Sequence, residues 1–246
     1  IMTGKRHDMR VDYSFSHDKT GRLTAVDASL LSRCGYSADL SLGVNDRAMF
    51  HADNAYYYPA VSIKSRRLRT NTVSNTAFRG FGGPQGVIAI ETILGDIARA
   101  FGKDALDVRI ANLYDGRTPS PAGGGQGWGQ PAPTANAAPL TPDRRGSNTA
   151  APDLLPLPPA GEGRGEGAAS PKRDTTPYQM RVDDNILPNL LPKLELLAQY
   201  RRRQAAVSAW NSKNRHLKRG IAITPVKFGI SFTATLFNQA GALVHV

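Results

Sequence analysis

Apolar and polar residues alternate along the first stretch of the chain, with apolar side chains at every second position from Met9 to Phe15. This period is typical of a strand with one buried face. Residues 18–21 (Asp-Lys-Thr-Gly) have turn chemistry, and a second apolar pattern begins at Leu23. The pattern predicts an antiparallel hairpin.

Further along the chain, the apolar spacing changes to that of a helix. Apolar residues recur every three or four positions from Pro84 to Phe101, Pro84 suits a first helical turn, and Gly102 suits a C-terminal stop. Asp104 can cap a second, short helix. The predicted apolar side of that helix consists of Leu106, Ile110 and Leu113.

The C-terminal part contains one longer helical pattern and two strand patterns. A single long amphipathic helix is predicted from the spacing of five apolar residues, Leu190, Leu194, Leu197, Val207 and Trp210. Strands are predicted where Phe228, Ile230 and Phe232 alternate with smaller or polar residues, and at 243–246. Together with an extended basic segment at 61–69, these elements predict an α+β fold of mixed strands and amphipathic helices.

Proline and glycine dominate the middle of the chain. Eleven of the 17 prolines lie between Arg117 and Lys172, together with repeated glycines. Such a composition cannot bury enough apolar surface to offset the entropy of ordering it. We therefore predict that residues 116–174 are a low-complexity, disordered insert, which divides the ordered chain into residues 1–115 and 175–246.

Charge and residue types exclude several classes of function. The formal net charge is +11, but the basic residues are dispersed and no nucleic-acid motif accompanies them, so we expect no nucleic-acid partner. Cys34 is the single cysteine, which excludes a disulfide or a cysteine metal cluster within the chain. His7, His17 and His51 lack metal-ligand spacing and are expected to be ordinary surface or hydrogen-bonded histidines. Neither a long apolar run nor a signal-peptide pattern is present, so we expect a cytoplasmic protein without a membrane span.

The loop before the helix at Pro84 carries the most specific chemistry. Residues 77–85 read Ala-Phe-Arg-Gly-Phe-Gly-Gly-Pro-Gln. Glycines allow close main-chain approaches, and main-chain amides that lead into a helix N-terminus can hold an anionic group. A mere connector would need no aromatic or arginine side chains, so Phe78, Arg79 and Phe81 favour a ligand-binding loop.

Two groups of residues carry a family resemblance. Residues 70–71 (Thr-Asn) and 74–85 (Ser-Asn-Thr, then the nine residues above) closely resemble the molybdopterin-binding subunit of xanthine dehydrogenases, which belong to the molybdenum hydroxylases. Residues 227–233 (Lys-Phe-Gly-Ile-Ser-Phe-Thr) and 238–242 (Asn-Gln-Ala-Gly-Ala) resemble the same family. The resemblance leaves the predicted insert unmatched, where the family usually has a short connection.

This resemblance implies a molybdenum–molybdopterin cofactor in an α+β cofactor-binding domain. Phe78, Arg79 and Gly80 match positions that contact the cofactor, Arg79 largely through its main chain. Phe81 and Phe232 match the two aromatic residues that enclose a flat purine, in the geometry that aromatic rings favour. Thr233 matches a position that offers a hydrogen bond to the substrate. We assign no metal ligand to the protein itself.

Arg47 lies in the sequence Asp-Arg-Ala-Met-Phe-His at 46–51. A lone arginine is most often part of a surface salt bridge. In the resembling family, however, the arginine at this place faces the purine, where its fixed charge can stabilise the negative charge that builds on the ring. Related aldehyde oxidases tend to lack this arginine, so Arg47 favours a purine substrate and is our candidate catalytic residue.

The implied reaction is hydroxylation of hypoxanthine and xanthine to urate, with water as the oxygen source. Electrons would pass to iron–sulfur clusters and FAD on other segments or subunits, and the complete enzyme is expected to be a hetero-oligomer or dimer. The family's catalytic glutamate has no counterpart in this sequence, so we expect the chain to be inactive alone. A related hydroxylase for another N-heterocycle or an aldehyde, and a non-catalytic product of a broken gene, stay open as alternatives.

Overall fold

The computed structural model describes residues 4–115, 172–229 and 241–244. The predicted disorder of the insert therefore lies almost entirely outside the described residues. So do Phe232, Thr233 and most of the predicted turn at 238–242. The predicted last strand is described only as far as residue 244, and it has no strand structure there.

Three strands form one sheet in the order β1-β2-β3. β1 (Met9–His17) pairs antiparallel with β2 (Leu23–Gly35), which confirms the predicted hairpin. Its turn is closed by Asp18, whose carboxylate accepts the main-chain N–H of residues 20 and 22 at 2.7 and 3.0 Å. β3 (Val61–Arg69) is the basic segment, and it runs parallel to β2.

Five helices complete the described fold: α1 (Ser41–Phe50), α2 (Gly83–Phe101), α3 (Ala105–Asn112), α4 (Leu187–Leu197) and α5 (Tyr200–Lys213). The mixed sheet and the helices confirm the predicted α+β class. α2 confirms the predicted helix after the glycine-rich loop, since Pro84 lies in its first turn and Gly102 ends it in the left-handed conformation. The apolar face of α2 packs between the hairpin and the residues that follow α1, and its core positions are Ile90, Ile93, Leu94 and Ile97.

The predicted start of α3 is correct, whereas its predicted apolar face is only partly correct. Asp104 caps it, accepting the main-chain N–H of Leu106 at 2.8 Å. Leu106 and Leu113 are buried as predicted, whereas Ile110 is 37% exposed. Val108 occupies the core instead.

The predicted single helix over 190–210 is wrong, because the chain breaks between α4 and α5. Gln199 adopts a left-handed conformation with φ of 48°. The break turns the chain so that Tyr200 is buried and its hydroxyl donates to the Asp104 carboxylate at 3.1 Å. A contact to a residue far away in the sequence therefore overrides the local helical spacing.

Candidate functional site

Arg47 and Phe81 lie side by side. Arg47, in the last turn of α1, is 4% exposed, and the centre of its guanidinium lies 5.9 Å from the Phe81 ring centroid. This distance is within the range of a cation–π contact. Arg47 is therefore a buried cation beside an aromatic ring and not an arm of a surface salt bridge. Burial lowers the pKa of its guanidinium, which nevertheless remains a permanent cation.

The loop places Phe81 through unusual main-chain geometry. Gly80, Phe81 and Gly82 have positive φ angles of 92°, 49° and 98°. Glycine adopts such angles freely, but for Phe81 the conformation costs about 1–3 kcal/mol. The Phe81 N–H donates to the carbonyl of Phe78 at 2.7 Å, which closes this tight turn. Backbone strain of this kind concentrates at functional sites.

Two glycines of this region are required by packing between α1 and α2. A Cβ atom on Gly82 would lie 1.9 Å from the carbonyl oxygen of Val44, and one on Gly86 would lie 2.1 Å from that of Ala48. Real Cβ atoms do not approach so closely, so α2 can lie on α1 only where these side chains are absent. This contact is what brings Phe81 to Arg47.

The candidate cofactor positions Phe78, Arg79 and Gly80 form the outer part of the loop. Phe78 is 57% exposed, and the carbonyl of Arg79 accepts a hydrogen bond from Arg6 at 2.7 Å. Among the described residues, the main-chain N–H groups of Arg79 and Gly80 donate to no acceptor. Nearby, Oε1 of Gln85 is buried and has no partner in the described part of the chain.

These features fit a polar cofactor. Free main-chain donors beside a helix N-terminus suit anionic or acceptor groups, and a buried amide oxygen without a partner suits a donor group. Phe78 to Gly80 and Gln85 thus offer main-chain amides and one side-chain oxygen to such a cofactor. Within the three described ranges, no group of three or more His, Cys, Asp and Glu side chains could bind a metal ion directly.

Phe228 and His51 also belong to this site, although sequence reasoning treated both as ordinary residues. The Phe228 ring lies 5.3 Å from the guanidinium of Arg47 and 4.8 Å from the His51 ring. It also covers Gly83, where a Cβ atom would meet the ring at 2.3 Å. His51 follows Arg47 by four residues, so recognising α1 as a helix would have placed both on one face.

Residues 225–229 are described without strand pairing, so the strand predicted there is wrong for these residues. Asn54 replaces a neighbouring strand: its amide donates to the carbonyl of Pro225 at 2.9 Å, and its oxygen accepts the Lys227 N–H at 2.9 Å. The Lys227 ammonium bonds the buried Asp53 carboxylate at 2.5 Å. The Asn54 side chain thus satisfies main-chain groups of this segment, and Asp53 holds its lysine side chain.

The segment ends its described course at Gly229, whose carbonyl accepts a hydrogen bond from the Arg47 guanidinium at 2.5 Å. Phe232 and Thr233, the other candidate substrate residues, follow outside the described residues, and their assignment stays a prediction. The structure therefore brings together Arg47, Phe81 and the start of the segment that leads to the remaining pair. None of the five described helices has the length and hydropathy that a membrane span requires.

Comparison with known proteins gives one domain match and many relatives. The molybdopterin cofactor-binding domain family matches residues 1–113. Xanthine dehydrogenase of Dictyostelium discoideum is 33% identical over 244 residues, which cover 99% of this chain and 14% of that protein. Xanthine dehydrogenase/oxidase of Gallus gallus is 34% identical over 246 residues, covering 100% of this chain and 14% of that protein. The chain thus spans about one seventh of the length of the curated relatives that it matches.

Solved structures are similar over a smaller part. An aldehyde oxidoreductase from Desulfovibrio gigas superposes with a TM-score of 0.42 at 33% identity, covering 45% of this chain and 12% of that chain. Quinoline 2-oxidoreductase from Pseudomonas putida 86 gives a TM-score of 0.39 at 25% identity, covering 46% of this chain and 15% of that chain.

Proposed function

Because this chain belongs to the xanthine dehydrogenase family of molybdenum hydroxylases, whose cofactor is molybdenum bound to molybdopterin, we propose that it holds a purine beside that cofactor. The proposed reaction of the complete enzyme converts hypoxanthine and xanthine to urate with water as the oxygen source. The cofactor supplies the redox chemistry. Iron–sulfur and flavin centres on other segments or subunits would receive the electrons.

The observation that supports this proposal is the burial of Arg47 against Phe81. A cation in a site from which water is excluded interacts strongly with charge that develops during the reaction. A flat ring that packs on Phe81 would lie beside the guanidinium, which would stabilise negative charge on the heterocycle. An aliphatic aldehyde has no ring on which such charge could spread, and a purine has ring nitrogens that accept it, so the arrangement favours a purine.

Other residues would bind and orient the reactants. Main-chain amides of Phe78, Arg79 and Gly80 would hold the cofactor. Phe81 and Phe232 would enclose the purine from two sides, and Thr233 would offer its hydroxyl as a hydrogen-bond partner. Arg47 also donates to the Gly229 carbonyl, and this hydrogen bond fixes the orientation of the guanidinium.

The test is substitution of Arg47 in the complete enzyme that carries this segment. We expect Arg47→Ala to lower xanthine turnover roughly a hundredfold or more, while the bound molybdenum content stays near that of the wild type. Arg47→Lys keeps a charge but loses the planar fork, so its turnover should lie between the two. Arg10→Ala, which removes an arginine with a 75% exposed side chain, is the matched control.

Equal xanthine turnover in Arg47→Ala and the wild type would remove the assigned role. A panel with an aldehyde and a second N-heterocycle separates the alternatives, since an aldehyde-specific enzyme would lose little activity on aldehydes when Arg47 is replaced. The purified chain alone is expected to be inactive, and measurable xanthine oxidation by it would contradict that expectation.

A further inference from the structure

The imidazole of His51 bridges two main-chain groups. Its Nδ1 lies 2.8 Å from the carbonyl oxygen of Arg47, and its Nε2 lies 3.0 Å from the main-chain nitrogen of Gly229. A carbonyl oxygen can only accept, so Nδ1 must carry the hydrogen. A main-chain N–H can only donate, so Nε2 must be bare. Only the neutral Nδ1–H tautomer satisfies both contacts.

The bridge joins α1 to a segment more than 170 positions away along the chain. His51 accepts the N–H of Gly229, and Arg47 donates to the carbonyl of the same residue at 2.5 Å. Both polar groups of Gly229 are thus held by side chains one helical turn apart. The orientation of the peptide at Gly229 is therefore set by α1, three residues before Phe232.

We infer that His51, as its neutral Nδ1–H tautomer, is a positioning residue that holds Gly229 at a fixed spacing from Arg47. This inference rests on the proposed function of Arg47. His51 touches neither substrate nor cofactor in this role. It acts through the main chain, by keeping Gly229 in place for the hydrogen bond from Arg47.

The surroundings of His51 favour the required neutral state. Burial lowers the pKa of the imidazole, and the nearby cations Arg47 and Lys227 lower it further, while the carboxylate of Asp53 and the hydrogen bond to Arg47 oppose them. A proton added at Nε2 would point at the N–H of Gly229 and break that contact. The bridge therefore opens when His51 is protonated, as the pH falls below the ordinary histidine range.

Hydrogen exchange of the main-chain amides in the full 246-residue chain tests the bridge directly. In the wild type, exchange at Gly229, corrected for its intrinsic pH dependence, should accelerate roughly fivefold or more between about pH 7.5 and pH 5, as expected for loss of one hydrogen bond. His51→Gln keeps an acceptor near the position of Nε2, so exchange should stay slow and lose its pH step. His51→Phe keeps the ring but has no acceptor, so exchange should be fast at both pH values.

His17→Gln serves as the matched control, because His17 is exposed at the end of β1 and its imidazole hydrogen-bonds the adjacent Asp18. Slow exchange in His51→Phe, or a pH step that persists in His51→Gln, would overturn the bridge. If His51→Phe does not fold, the wild-type pH step and its loss in His51→Gln still decide the matter.

Kinetics of the complete enzyme test the positioning role. His51→Phe should lower kcat/KM for xanthine per bound molybdenum, and His51→Gln should restore most of it; unchanged kcat/KM in His51→Phe would overturn the role. The exchange experiment tests the His51 bridge independently of the proposed function. If the exchange results hold while Arg47→Ala leaves xanthine turnover unchanged, the bridge stands as a feature of the chain, and the proposed function and the positioning role are both wrong.

Discussion

The main-chain N–H of Asp115 donates a hydrogen bond to the carbonyl oxygen of Arg173 at 2.8 Å. The Arg173 guanidinium in turn donates to the carbonyl of Ala111, at the end of α3, at 2.9 Å. The two residues that flank the proline- and glycine-rich segment therefore lie next to each other. The chain on either side of that segment forms one continuous packed unit.

Replacing residues 116–172 with about three glycine and serine residues should therefore leave the fold intact. Asp115 and Arg173 are hydrogen-bonded neighbours, and each linker residue extends the chain by up to ~3.8 Å, so three residues are long enough to join them. Shortening the connection also lowers the entropy cost of closing it. We expect a cooperative thermal transition, followed by circular dichroism, at or slightly above the Tm of the full chain. A control variant that also lacks Arg173 should have a lower Tm. If the Tm falls strongly although Arg173 is kept, residues 116–172 contribute to the fold.

Gly86→Ala should destabilise the chain, because its Cβ atom would collide with the Ala48 carbonyl oxygen at 2.1 Å. Overpacking of this kind costs about 1–3 kcal/mol or more. Gly95 lies on the same helix with only the end of Arg99 near its missing Cβ atom, at 3.6 Å. Gly95→Ala should therefore stabilise the chain by about 0.5–1 kcal/mol. Urea unfolding measures both, and equal effects would disprove the close contact of α1 and α2.

Glu91→Ala should be strongly destabilising. The Glu91 carboxylate accepts hydrogen bonds from Arg109 at 2.7 Å and Tyr56 at 2.6 Å, and the side chains of the ion pair are only 7% and 14% exposed. Removing the carboxylate leaves the Arg109 charge buried, which typically costs about 3–5 kcal/mol. The exposed pair of Arg10 and Asp12 provides a control, since Asp12→Ala should change the free energy of unfolding by less than about 1 kcal/mol.

Stability should decrease between about pH 6.5 and pH 5. Burial lowers the pKa of His51, and it also lowers the pKa of His7, which bonds Ser41 at 2.7 Å. The unfolded chain then binds more protons than the folded chain in this window. The two histidines therefore do not reduce the free energy of unfolding above about pH 6.5. Below it, the free energy of unfolding falls with pH by at most ~1.4 kcal/mol per pH unit for each histidine.

Chemical unfolding at several pH values measures this slope. A variant with both His7→Gln and His51→Gln should show a much flatter profile between pH 6.5 and pH 5. The same slope in that variant would assign the effect to other groups.

Several elements could be predicted from the sequence because local interactions decide them. The hairpin follows from strict alternation and from the Asp18 turn. The limits of α2 follow from Pro84 and Gly102, and the start of α3 from Asp104. In each case the residues that settle the element lie within a few positions of one another.

Other elements depend on partners that are distant in the sequence. α1 buries the polar residues Asn45 and Arg47 beside the apolar Val44 and Ala48, and both polar side chains donate to residues elsewhere in the chain, Asn45 to Ser65 and Arg47 to Gly229. The break at Gln199 follows from the contact of Tyr200 with Asp104. The segment 225–229 does not pair as a strand, because Asn54 and His51 bind its main chain.

The candidate site divides in the same way. The loop residues Phe78 to Phe81 could be singled out from the sequence, because their motif is long and their residue types are unusual for a connector. Arg47 could be singled out only because residues 46–51 resemble the same family. Only the tertiary structure showed that Arg47 and Phe81 meet, and that His51 and Phe228 join them. Those contacts cross most of the length of the chain, and no local pattern encodes which distant main-chain group a buried side chain will bind.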